Sequence, residues 1–233
     1  CPDVGGSVTI NGSFNSGRGA GGTGPGGSGD EIEIEDGGEY ESGGGQAGGG
    51  TPAVSLPNNL LNALENALTG LQNYLSGGIT DDCSQNVIGK LSANLGFDLS
   101  AFKVYLAQGA TFYDATRSNI PVAGNVMPRR PADLLYGPGA TIADVFRNSP
   151  GTNAMTSIMT STLTIFLRPG RDANRTPVVD RSNGGNNSRN LSLLFHEALH
   201  GFTKKVDADI QSSLGLGSGS SSNVTEYIKM HCF

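Results

Sequence analysis

The chain has 233 residues, with 15 Lys+Arg against 21 Asp+Glu and a charged share of 15%, well below the roughly 25% of average usage. It holds no run of about 18 apolar residues, which excludes a membrane-spanning helix, and no basic stretch or basic excess, which argues against nucleic-acid binding. Ser, Asn, Thr and Gly must furnish much of the polar surface, which suits an extracytoplasmic protein.

Residues 1–53 stand apart. Nineteen of the 36 glycines lie in residues 1–50, and residues 1–53 carry one base and eight acids, a net of −7, against 14 bases and 13 acids, a net of +1, in residues 54–233. So Gly-rich and acidic a segment has too little apolar surface to offset its ordering entropy, and it is expected to be a disordered linker. Two patches within it, Val8–Ile10 and Glu31–Glu35, have strand-like character at most. The chain begins at Cys1 rather than Met, as a processed or excised piece would. A mature lipoprotein also opens on Cys before a flexible tether.

A single α+β domain, mostly helical with a small sheet, is expected over residues 54–233. Leu60, Leu61, Leu64, Leu68, Leu71 and Leu75 recur at spacings of three and four, which predicts a helix over 57–75, opened by Pro57 and closed by Gly77-Gly78. A second helix follows Asp81/Asp82 as caps, carries Val87, Ile88, Leu91 and Leu95, and stops at Gly96. A third starts at Asp98. Residues 109–140 read as loop with short strands, and Thr141–Arg147 suits either a short helix or a strand. The β-branched and aromatic run Ser161–Leu167 predicts a strand ending at Pro169-Gly170. A long polar loop over 170–190 follows.

The next helix carries the chemistry. Leu191–Phe202 reads LSLLFHEALHGF, capped by Asn190 or Ser188, and contains His196-Glu197-x-x-His200. Four residues advance a helix by about one turn, so both imidazoles leave one face, as two zinc ligands must. Glu197, beside the first ligand, can take a proton from water acidified by the metal. The bland reading is a core helix whose two His bond to neighbouring backbone. For a third ligand the spacing leaves Asp207, Glu226, Asp209 and His231 open. Asp207 is also a good N-cap for a helix over 208–214.

The HExxH pattern resembles the zincin metallopeptidases. That resemblance implies a zinc ion, Glu197 as general base, a protein or peptide substrate, and an edge strand beside the metal helix that binds extended substrate, for which Ser161–Leu167 is the candidate. The metzincin extension is missing, because Thr203 and Val206 stand where Gly and a ligand are needed. A wider likeness, carried by His196, Glu197, His200, Asp207, Ile210, Gln211, Leu214-Gly215-Leu216, Asn223-Val224-Thr225 and Cys232, is to the C-terminal region of bacterial Rhs/YD-repeat-associated proteins. It favours Asp207 over Glu226 and implies a secreted or cell-envelope effector or toxin module attached to an Rhs-type parent chain.

Three cysteines show no Cys-ligated zinc spacing. A Cys83–Cys232 bridge would close a loop of about 150 residues in an oxidising compartment, leaving Cys1 as the odd one. Two functional classes stand open: a zinc-dependent peptidase, and a non-catalytic secreted or surface binding domain with structural zinc or no metal. Glu197 discriminates them, because a structural zinc, closed by four protein groups, has no use for it.

Overall fold

The computed structural model describes residues 53–172, 174–217 and 222–233. The Gly-rich segment up to Pro52, with its two strand-like patches and Cys1, lies outside the described residues. The described chain is α+β: helices α1 (Asn58–Asn73), α2 (Asp81–Cys83), α3 (Lys90–Leu95), α4 (Leu99–Ala107), α5 (Arg129–Tyr136), α6 (Ile142–Asn148), α7 (Ser188–Thr203), α8 (Asp207–Leu214) and α9 (Ser222–Cys232), with strands β1 (Ala110–Asp114), β2 (Ala154–Thr156) and β3 (Leu163–Leu167). Among the described residues no helix is long and apolar enough to cross a membrane.

The leucine stripe does form α1, with Leu60, Leu64, Leu68 and Leu71 buried and Leu75 buried in the wider helical turn that follows. Each such side chain contributes about 1.5–3 kcal/mol of burial. A wide-turn stretch, Ser84–Gly89, joins α2 to α3, and Gly96 ends α3 in the left-handed conformation. The cap is Thr80, not Asp81 or Asp82: its hydroxyl accepts from the Cys83 amide. Thr141–Arg147 resolves as helix, because Thr141 and Asp144 form a reciprocal capping box at the start of α6. The 109–140 stretch holds β1 and also the helix α5.

The sheet order is β1-β3-β2, with β1 parallel and β2 antiparallel to β3. The predicted strand is therefore central rather than an edge. Phe112 pairs with Ile165 on one side and Met155 with Phe166 on the other, so the backbone of β3 has no free edge to offer a substrate. Its side chains alternate between two cores. Leu163, Ile165 and Leu167 join the main core with α1, α4 and α7. Phe166 joins a smaller cluster with Met155, Val126, Met127, Ile142 and Phe146.

Cys83 and Cys232 are bridged, with Cα atoms 4.5 Å apart and a sequence separation of 149. Both are buried. The bridge fastens the end of α9 to α2, and closing so long a loop stabilises by on the order of 3–5 kcal/mol. Replacing both cysteines by Ser is expected to lower the urea midpoint accordingly. An unchanged midpoint would mean that packing alone holds α9.

Candidate metal centre

Helix α7 is fixed at its start by the polar loop before it. Asn187, rather than Asn190 or Ser188, is the N-cap, its side chain accepting from the Asn190 amide at 3.1 Å. Asn190 is buried instead as a hub: its amide group donates to the carbonyls of Asp180 (2.7 Å) and Gly185 (2.8 Å) and accepts from the Asp180 amide (3.0 Å). Gly185 has φ +93° and lies so close to the α1 backbone that a Cβ there would collide with Ala63. Only glycine permits that approach. Along its length α7 is gripped by aromatic packing, Phe195 stacking on Phe102 of α4 at 5.5 Å and Phe202 meeting Phe102 edge-on at 5.3 Å.

At the other end Lys204 takes a left-handed conformation, φ 58°, and turns the chain back. Val206 is the N-cap of α8 and makes no side-chain cap hydrogen bond. Asp207, the first residue of α8, does not act as the N-cap. Its carboxylate reaches the two imidazoles of α7, Oδ1 lying 2.9 Å from His196 Nε2 and 3.1 Å from His200 Nε2. The two Nε2 atoms are 3.0 Å apart. The far end of α8 is braced by α3, where Lys90 Nζ donates to the Leu214 carbonyl and Asn94 Nδ2 to that of Ser213.

His196, His200 and Asp207 thus form a buried group that could hold a metal ion. Their three donor atoms make a nearly equilateral triangle. Donors about 2.0–2.1 Å from a tetrahedral ion stand roughly 3.3 Å apart, so the triangle needs to open by only a few tenths of an ångström. The outer contacts suit ligation too. His200 Nδ1 donates to the Lys205 carbonyl at 2.7 Å; a carbonyl can only accept, so the proton sits on Nδ1 and Nε2 presents a lone pair in the neutral ring. His196 Nδ1 shares a hydrogen bond with Thr225 Oγ1 of α9 at 2.8 Å. Such partners fix the tautomer and orientation of ligating imidazoles.

The electrostatics call for positive charge. Burial by itself would make His200 less basic, but the charge and hydrogen bond of Asp207, the charge of Glu197 and the Lys205 carbonyl outweigh it and push the imidazole up to about 9. Burial likewise opposes ionisation of Asp207, and the charge on His200 together with the hydrogen bonds from both rings holds the carboxyl well below its usual range. Two imidazoles, which present lone pairs once they give up their Nε2 protons, and a carboxylate that converge in a site at most 5% exposed are a donor set for a cation.

Glu197 is buried, and its Oε2 accepts from the Thr156 hydroxyl of β2 at 2.7 Å. The other third-ligand candidates point elsewhere. Glu226 is largely exposed and pairs with Lys229. Asp209 is exposed in the first turn of α8. His231 pairs with Asp82 at 2.9 Å, beside the disulfide.

No protein family, curated protein or solved structure matches this chain. The chemistry is read from its own residues. Sequence reasoning passed over Thr156, whose three-residue strand carries no pattern, and the Lys205 carbonyl, which no side chain announces. Thr225 stood in the C-terminal motif without a role.

Proposed function

We propose that this chain is a zinc-dependent metallopeptidase acting outside the cytoplasm, with His196, His200 and Asp207 as ligands and Glu197 as general base. The observation that carries the reading is the buried triangle of two imidazoles and one carboxylate with an acid from the same helix, adjacent in sequence to a ligand. Among the described residues three ligand groups converge, rather than the four that close a structural site. A zinc ion held there supplies Lewis acidity, lowering the pKa of water and polarising a peptide carbonyl. Glu197 takes the proton from the attacking water and returns it to the leaving amide nitrogen. The disulfide suits an oxidising compartment, in keeping with a secreted effector or toxin module of an Rhs-type parent chain.

The test is elemental analysis of the purified chain together with casein digestion before and after chelation. About one zinc per chain is expected, with hydrolysis lost on chelation and regained on adding zinc. Iron in its place, or hydrolysis that survives full metal removal, overturns the reading. Tight zinc without hydrolysis makes the chain a non-catalytic binding domain.

A further inference from the structure

Resting on that reading, we propose that Thr156 is a positioning residue that holds the Glu197 carboxylate in the orientation from which it accepts a proton. Thr156 ends β2 and is fully buried, and its hydroxyl donates to Glu197 Oε2 at 2.7 Å across 41 residues of sequence. Among the described residues this is the one hydrogen bond to that carboxylate, so Oε1 is left to take the proton. A Glu side chain has three torsions to fix, and a charge-assisted bond to one oxygen fixes them together.

The Thr156 side chain is itself locked. Its methyl group lies against α7, 3.3 Å from where a Cβ on Gly201 would stand, as does the Leu163 side chain, and that Cβ would also collide with the Tyr105 hydroxyl. Gly201 is one residue past His200 and one turn past Glu197, so the Thr156 methyl packs closely on the bare backbone of α7 beside Glu197. A β-branched residue is restricted at χ1. With the methyl seated on Gly201, the hydroxyl is aimed at the carboxylate. Valine would fill the same space and make no bond. Serine would make the bond and leave a small gap.

The experiment compares Thr156→Val and Thr156→Ser with the wild-type full chain, each loaded with zinc. Zinc content, casein hydrolysis resolved into kcat and KM, and the 13C resonance of the Glu197 carboxyl (assigned by its loss in Glu197→Gln) are measured, the last in chelated protein as well. Thr156→Val is expected to keep its zinc and its KM, to lower kcat by about 10–100-fold as a misplaced catalytic group does, and to shift the carboxyl resonance. Thr156→Ser is expected to restore both. A carboxyl resonance unmoved in Thr156→Val, a wild-type kcat in that variant, or a Ser variant as impaired as the Val variant overturns the role of Thr156 and leaves the peptidase reading intact. Absence of hydrolysis by the zinc-loaded wild type, with the resonance shift still present, overturns the peptidase reading and the positioning role of Thr156 with it.

Discussion

Glu197→Gln is expected to keep its zinc and lose casein hydrolysis by about 10²–10⁴-fold, the usual worth of a positioned general base. Glutamine matches glutamate in shape, and its amide oxygen can still accept from the Thr156 hydroxyl that now meets Oε2 at 2.7 Å. The ligands are untouched, since His196, His200 and Asp207 make their triangle without Glu197. What glutamine cannot do is accept and return a proton. Elemental analysis should therefore read the same metal content as wild type while kcat collapses. Hydrolysis within tenfold of wild type would remove Glu197 from the reaction, and parallel loss of zinc and activity would mean that Glu197 supports the metal instead.

The helices could be read in the sequence where apolar spacing declared them. The stripe from Leu60 to Leu75 and the HExxH helix both obey the 3.6 period, and the period alone sets His196 and His200 on one face. The third member of the buried group could not be separated from its rivals in that way. Asp207 reaches the imidazoles because the chain reverses at Lys204 in a left-handed conformation, and a lysine there gives no sign of the turn that a glycine would. Two of the helix starts were misassigned for a similar local reason, whereas Asp98 does cap α4 as its sequence suggests. Thr80 stands beside two aspartates, and Asn187 sits among Asn186, Ser188 and Asn190, so several polar residues competed for one position. The sheet was the hardest part. The place of Leu163–Leu167 as central strand depends on pairing with Ala110–Asp114, some fifty residues earlier, and with Ala154–Thr156, too short to show a period of two. Helix α5 stayed hidden because Pro131 and the two arginines before it obscure an eight-residue helix.

Asp207→Ala is expected to weaken zinc binding by more than about 100-fold, beyond the 10–100-fold typical of losing an outer partner. The change removes the one anionic donor and the charge that makes the buried pocket favour a cation, leaving two imidazoles to hold the ion alone. Helix α8 keeps an acid in its first turn at Asp209 and its brace to α3 through Lys90 and Asn94, so the fold should survive, as circular dichroism of the chelated protein would show. Two companions turn the result into a graded series. Thr225→Val deletes the hydroxyl beside His196 Nδ1 and should cost the smaller, outer-partner amount. Glu226→Ala, one residue on along α9, removes a largely exposed carboxylate paired with Lys229 and should leave affinity unchanged. Competition against a chromophoric chelator measures all three. If Glu226→Ala weakens zinc as much as Asp207→Ala does, or if Asp207→Ala binds like wild type, then the ion is held by a different set of oxygens, and the triangle of Nε2, Nε2 and Oδ1 is a hydrogen-bonded core cluster instead of a metal site.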